Sequence, residues 1–408
     1  MRKWWYQSVK KMLLLWSIWS VLLTGYELVR IRIPVSMHLY EEEAREVLSG
    51  SQPNLSPNQL YLDFAGDVEI TETSNGSYQA VCNLFGLIPL KTVEVSVVET
   101  ETLIPGGIPV GIYVQTDGVF VIGTGPIETE NGTVESPAKN ILKTGDYIIS
   151  FQGEKICRKQ ELIEKLQQFY EEELVLGIRR NHEELEVRIH PIVQPSGASI
   201  GVWVRDDTQG VGTLTYITDE KKFGALGHGI ADSDSEVLME VSKGRLYGCE
   251  IIGIIKGKAG SPGKLAGKIA YHNQNLYGQI SGNLSGGIYG SANEHLMQSV
   301  TNSPLPIALK QEVQEGKAVI LSSVSGELKE YEVEIRKIHR SDENVNKGME
   351  LTVTDDELLE LTGGIVQGMS GSPIIQDGKL VGAVTHVLVN DPTRGYGIFI
   401  ENMLDAAG

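Results

Sequence analysis

Between residue 196 and the C-terminus the chain is a succession of short apolar runs punctuated by glycines, with weak helical periodicity throughout. Strand-like stretches fall at 200–204, 212–217, 318–322, 331–335, 349–353 and 380–389. Such a sequence buries its apolar side chains by curling or stacking sheets, so a β-barrel or a sandwich pair is predicted for this half. Residues 256–290 hold many glycines with little periodicity and read as long surface connections. The small, turn-forming Gln194-Pro195-Ser196-Gly197-Ala198 marks a boundary on the N-terminal side. The 408 residues have room for about two or three domains. A formal net charge of -18 argues against a nucleic-acid surface, which needs clustered Lys and Arg. Cys82, Cys157 and Cys249 lie far apart, form no Cys-x-x-Cys and make no disulfide framework, so each reads as a small buried hydrophobe.

Within this region, Gly363-Gly364-Ile365-Val366-Gln367-Gly368-Met369-Ser370-Gly371-Ser372-Pro373-Ile374-Ile375 displays a glycine-flanked serine between apolar runs. Glycines at 368 and 371 let the backbone turn tightly, and the amides of Gly368 and Ser370 are the candidate oxyanion hole. An isolated motif of this kind reads first as a glycine-rich turn whose serine caps a backbone group. A serine hydroxyl needs a base to become a nucleophile. His228, in Phe223-Gly224-Ala225-Leu226-Gly227-His228-Gly229-Ile230-Ala231-Asp232, is the candidate, because its glycines leave the imidazole accessible. His272, His295 and His339 sit in polar or charged surroundings and read as surface residues. His386, on the strand after the serine, is a candidate for the substrate pocket, with a packed core histidine as the alternative. Spacing leaves the acid open among Asp232, Asp234, Asp355 and Asp356, and the run from Asp355 to Glu360 also reads as a helix N-terminus.

In the N-terminal half, Arg2, Lys3, Lys10 and Lys11 form a basic segment over 1–11, and the apolar run that follows, flanked by tryptophans, predicts a single-pass membrane anchor over 12–33 with a cytoplasmic N-terminus. A cleaved signal peptide is the competing reading, but no Ala-x-Ala-like site follows. Residues 34–102 read as a polar linker, 38–60, and a small juxtamembrane β module. The segment 103–195 resembles a PDZ domain, most specifically in Ser136-Pro137-Ala138 followed by Leu142-Lys143-Thr144-Gly145-Asp146-Tyr147-Ile148. By that resemblance Val110, Gly111 and Ile112 match the carboxylate-binding loop, which takes a peptide C-terminus while the peptide adds a strand. A PDZ fold used only as a spacer is the alternative, and Asp146 reads as a turn residue.

The order of anchor, PDZ and a domain with Phe-Gly-Ala-Leu-Gly-His near its start and Gly-Gly-Ile-Val-Gln-Gly-Met-Ser-Gly-Ser-Pro-Ile-Ile near its end resembles the stage IV sporulation protein B peptidase family of endospore formers. The likeness continues through Gly382-Ala383-Val384-Thr385-His386-Val387, Asn390-Asp391-Pro392-Thr393 and Gly395-Tyr396-Gly397. It implies a mainly β protein with an N-terminal membrane anchor, a small β module, an α+β PDZ domain and a C-terminal chymotrypsin-like double β-barrel serine protease domain over 196–408. It also implies a catalytic triad of His228, Asp355 and Ser370, with Ser372 excluded, acting without metal or cofactor. The implied setting is the space between the forespore membranes. There the family cleaves a membrane-bound regulator, stage IV sporulation protein FA, to trigger intramembrane processing of a mother-cell sigma factor, and it cleaves itself. The expected partners are that substrate, a peptide C-terminus or internal strand at the PDZ domain, and the membrane. Asp355 lies fifteen positions before Ser370 instead of midway between histidine and serine, which departs from the usual chymotrypsin-like layout. Two other readings are a non-catalytic, membrane-tethered PDZ receptor with a degenerate protease fold, and a quality-control protease. The latter usually carries its PDZ domain after the protease domain.

Overall fold

The computed structural model describes residues 2–32, 36–40, 68–72, 78–84 and 88–407, apart from 233 and 341. Beyond Tyr40, the linker expected at 38–60 lies outside these residues. The chain opens with a 31-residue helix, Arg2–Arg32. The membrane anchor expected at 12–33 is not supported, because among the described residues no helix is long and apolar enough to cross a membrane. Trp16, Ser17, Trp19, Ser20, Thr24 and Tyr26 dilute the leucines and valines, and Lys10, Lys11 and Glu27 bound the run.

The small β module is a four-stranded sheet in which Ser36–Tyr40 pairs parallel to Ile88–Val98, followed by Tyr78–Leu84 and Val68–Glu72. It is fastened to the C-terminal half: His38 Nδ1 lies 2.8 Å from the buried Glu401 Oε1, and the Tyr40 hydroxyl donates to the Ile307 carbonyl at 3.1 Å.

The second half holds a closed six-stranded barrel of Gly316–Ser322, Lys329–Ile338, Met349–Val353, Asp391–Phe399, Lys379–Leu388 and Pro373–Gln376. Alternation drives it: in Lys329–Ile338 the side chains of Tyr331, Val333 and Ile335 are buried, while Glu330 and Glu332 face out. Val333 and Ile335 each contribute about 1.5–3 kcal/mol on leaving water.

A second six-stranded ring forms from Val202–Ile217, Lys222–Ala225, Gly287–Ala292, Leu276–Leu284, Val241–Ile255 and Pro109–Thr124, closing where the last pairs with the first. Two sequence expectations change here. Residues 256–290, expected to be surface connections, supply Lys264–Ile269, Leu276–Leu284 and part of Gly287–Ala292. Their glycines permit close backbone approach: a Cβ on Gly278 would meet the Ser291 carbonyl, and one on Gly290 the Gln279 carbonyl. The division at 195 is also crossed by the chain itself. Pro109–Thr124, expected to lie in the PDZ segment, gives its first half to this barrel, where Val110, Ile112 and Val114 join the core with Leu214 and Leu246.

Residues 119–204 pack around a separate core that includes Val119, Val121, Leu142, Ile148, Leu162, Leu174, Leu176 and Ile200. The helix Lys159–Gln167 and strands Tyr147–Phe151, Leu174–Arg180 and Glu183–Ile189 build it. Its sheet ends on the outer half of Pro109–Thr124 and then on residues 202–205 of the strand Val202–Ile217. The two long strands are therefore one ribbon shared by both bodies. Asp146 is buried and pairs with Arg180 at 2.6 Å, so its turn also fastens the last strands of this body.

Candidate active site

The helix Asp356–Thr362 stops at Gly363, whose φ of 76° starts the turn into the serine loop. Gly368 at φ 101° and Gly371 at φ 95° occupy conformations that side-chain-bearing residues rarely adopt. The loop hangs on the strand Val202–Ile217. The Thr213 amide donates to the Ser370 carbonyl, the Thr213 hydroxyl to the Gly368 carbonyl and the Thr215 hydroxyl to the Gly371 carbonyl, each at 2.9 Å. With the carbonyls so engaged, the amides of Gly368 and Ser370 meet no acceptor among the described residues, as an oxyanion hole requires. The Ser370 hydroxyl donates to the Thr385 carbonyl at 2.7 Å. Ser372 is fully buried and its hydroxyl has no partner, which rules out attack from that position.

His228 follows the short strand Lys222–Ala225, after a turn in which Leu226 and Gly227 both take positive φ, 71° and 69°. Its Nδ1 lies 2.9 Å from the Gly229 carbonyl, an oxygen that only accepts. This bond places the proton on Nδ1 and leaves the Nε2 lone pair for a substrate proton, the tautomer that a general base needs. Burial holds the imidazole below the ordinary histidine range, only partly offset by the bond to Gly229. The His386 ring lies 5.0 Å from that of His228, tilted by 36°. Burial, then the neighbouring charges of His228 and Lys347, lowers His386 to about 4, so it is neutral at physiological pH.

Ser370, His228, Gly368, Thr385 and His386 all line one cavity of about 700 Å³ between the two barrels, together with Ile112. The structure thus brings together every catalytic and pocket residue named from the sequence except the acid. Asp355 is the N-cap of Asp356–Thr362: its Oδ1 accepts the Leu358 amide at 2.9 Å and its Oδ2 the Glu332 amide at 3.3 Å. Neither it nor Asp356 lines the cavity. The helix-start reading of that run wins, because both carboxylate oxygens are spent on backbone donors. Asp355→Ala is accordingly expected to cost about 1 kcal/mol of stability. It should leave labelling of Ser370 by a fluorophosphonate within about threefold of wild type, where loss of a triad member costs orders of magnitude.

Val110, Gly111 and Ile112 are also misplaced by the sequence reading. They form no loop: they sit near the start of the strand Pro109–Thr124, opposite Gly212, Val211 and Gly210 on one side and Gly248, Tyr247 and Leu246 on the other. With neighbours on both edges, this segment cannot receive an added peptide strand. Sequence reasoning missed Thr213, Thr215, Thr385 and Asn283. Asn283 accepts the Ile230 amide at 2.7 Å and donates to the Ile230 carbonyl at 2.8 Å, fixing the chain beyond His228. Such residues act through hydrogen bonds to distant backbone, which leave no local pattern in sequence.

The PDZ domain of an SdrC-like protein from Listeria monocytogenes is 19% identical over 22% of this chain and 90% of its own length, with a TM-score of 0.18. The active form of the Rv3671c protease from M. tuberculosis is 15% identical over 49% of this chain and 75% of its own, with a TM-score of 0.27. The HtrA-type protease AlgW, solved with a decapeptide, is 9% identical over 49% of this chain and 52% of its own, with a TM-score of 0.29. No curated protein matches the chain. The family described as SpoIVB peptidase S55 matches residues 196–404, just over half of the sequence and the part that carries His228 and Ser370. The chain therefore belongs to the SpoIVB peptidase S55 family and is a serine endopeptidase.

Proposed function

We propose that Ser370 attacks a peptide carbonyl while His228 takes its proton at Nε2 and returns it to the leaving amine, with the developing oxyanion held by the Gly368 and Ser370 amides. The observation that carries this is the meeting of His228, Ser370 and two unpaired amides at one cavity between two barrels. The Gly229 carbonyl does the orienting that a triad carboxylate does elsewhere, fixing the Nδ1 proton without supplying a full negative charge. For attack, the Ser370 hydroxyl leaves the Thr385 carbonyl. A substrate strand laid along residues 385–387 offers a backbone amide to that oxygen and so releases the hydroxyl toward His228. His386 forms the outer wall of the same pocket and is proposed to set preference at the cleaved bond.

The pH profile follows from burial of the base. Catalysis needs neutral His228, and the neutral form persists to lower pH than for an exposed histidine. The acid limb of Ser370 labelling is therefore expected below about pH 6.5. A limb at or above that value contradicts the assignment of His228.

We place the peptide groove of the PDZ-like body between the helix Lys159–Gln167 and residues 202–205, replacing the assignment to Val110–Ile112. The amides of Ile200 and Gly201 have no acceptor among the described residues, and Gly201 takes a φ of 64°. On the edge away from Pro109–Thr124, residues 202–208 pair with no strand among the described residues. That open edge favours strand addition with the carboxylate at Ile200 and Gly201.

The family assignment supports a role in sporulation signalling, by cleavage of a membrane-bound regulator in the space between the forespore membranes, with self-cleavage. The exposed apolar side chains of Leu13, Leu14, Trp16, Ile18, Trp19 and Leu22 favour retention of the body at a membrane surface. Fluorophosphonate labelling, with cleavage sites mapped by mass spectrometry in wild type and Ser370→Ala, tests the reading. A folded wild-type protein that remains unlabelled supports instead a non-catalytic peptide receptor.

A further inference from the structure

Where the strand Val202–Ile217 leaves the PDZ-like body its register against Pro109–Thr124 shifts between Arg205 and Asp207. At this bulge two consecutive side chains reach in different directions. The Asp206 carboxylate accepts the amide of Lys159, the first residue of the helix that flanks the proposed groove, at 2.9 Å. Arg205 reaches the loop that carries His228: its Nη1 meets the Asp232 carboxylate at 2.5 Å and its Nη2 meets that of Asp234 at 3.1 Å.

Asp232 is almost fully buried. Its Oδ1 accepts the Asp234 and Ser235 amides at 3.0 Å and the Ser235 hydroxyl at 3.1 Å, and its Oδ2 takes Arg205. A buried carboxylate is strongly destabilising unless every lone pair is satisfied, so the loop keeps its shape only while Arg205 stays in place. On its other side the same loop is held by Asn283 through Ile230. His228 thus sits at the end of a short segment clamped at two points, one on the barrel and one on the bulge. Further along the same strand, Thr213 and Thr215 hold the loop of Ser370.

We propose that Arg205, Asp206 and Asp232 form a joint: Arg205 and Asp232 are positioning residues for His228, and Asp206 connects that clamp to the helix flanking the peptide groove. A peptide added along residues 202–205 then bears on both halves of the catalytic pair through one strand, with no separate signalling loop. The joint rests on the reading of His228 as the base of a serine peptidase. It is a physical two-ended connection whose energetic coupling is measurable.

The test uses the full chain and two readouts, the rate of fluorophosphonate labelling at Ser370 and the titration of the His228 ring followed by carbon NMR. Asp232→Asn and Arg205→Gln are each expected to slow labelling about 10- to 100-fold, the effect of a misplaced base. Both should also move the His228 titration toward the ordinary histidine value as the loop opens to water. Arg205→Lys, which keeps the charge, is expected to recover part of the rate. Asp206→Asn should slow labelling about 3- to 10-fold, and in the Arg205→Gln background its effect should shrink, because neighbours in one network are not additive. Folded Asp232→Asn and Arg205→Gln proteins that label and titrate like wild type overturn the positioning role. If Asp232→Asn does not fold, Arg205→Gln decides alone, since the Arg205 side chain is 30% exposed. Fully multiplicative effects of Asp206→Asn and Arg205→Gln disconnect the groove from the base. A wild type that is never labelled sinks the peptidase reading itself, whereas the NMR titration still reports on the clamp.

Discussion

Replacing Ser370 with Ala is expected to abolish labelling by a fluorophosphonate and to lower peptide cleavage by about 10⁴- to 10⁶-fold, with the fold intact. His228→Ala should fall in the same range, and the double variant should be no worse than either single one, because the two residues act in one step. At Ser370 the substitution removes one hydrogen bond, to the Thr385 carbonyl, and is expected to cost about 1 kcal/mol. Ser372→Ala provides the contrast. Its hydroxyl is buried without a partner, so the change removes an unsatisfied polar atom and is expected to leave activity unchanged and stability equal or slightly higher. Tryptic mapping of the labelled peptide distinguishes the two serines. Label on Ser372, or cleavage by a folded Ser370→Ala protein at the wild-type rate, refutes the mechanism.

Gly371→Ala is expected to be among the most damaging small changes in the molecule. At φ 95° any β-carbon is strained, and here it would run into the Thr213 carbonyl and stand 2.5 Å from the Leu226 amide nitrogen and 2.9 Å from its Cα. All three are backbone atoms, of the strand on which the serine loop hangs and of the turn that leads to His228, so no rotamer change relieves the contact. A loss of about 3 kcal/mol or more follows, lowering the melting temperature by roughly 6–12 °C for a domain of this size. Activity should fall with it, because the same displacement pushes Leu226 and hence His228 away from Ser370. Gly378 is a control: its φ of 76° is strained for Ala, but nothing lies within 4 Å of the added carbon. A Gly371→Ala protein as stable as Gly378→Ala contradicts the packing described here.

Ser370, His228 and His386 could be singled out in sequence because each sits in a local pattern of small residues around a polar side chain, and the structure brings all three to one cavity, where the roles proposed above place them. The double barrel was legible from short alternating strands, of which Lys329–Ile338 is the plainest. Three readings failed for one physical reason, that sequence neighbours do not report long-range pairing. Asp355 follows a strand and opens a helix, and either an acid or a cap suits that position until its hydrogen bonds are known. Val110-Gly111-Ile112 has the small-residue character of a binding loop, but Val110 and Ile112 fill a barrel core, and Gly111, on the opposite face of the strand, makes room for Ile269, which a Cβ there would strike. The glycines of 256–290 mark crossings of backbone, which composition alone does not distinguish from loops.

The shared ribbon of Pro109–Thr124 and Val202–Ile217 has a consequence for how the molecule comes into being. During synthesis the first strand of the catalytic barrel emerges with its partner still about 80 residues away, so the whole PDZ-like body has to be made before that barrel can close. Until then the strand Pro109–Thr124 has an unpaired inner half, and no peptidase activity exists on the nascent chain. The same arrangement makes truncation at residue 195 a poor way to isolate the enzyme, since it discards a barrel strand. Excision of 125–201, with a short turn joining the two strands, keeps the ribbon and is the cut along which the two barrels separate from the body with its own core.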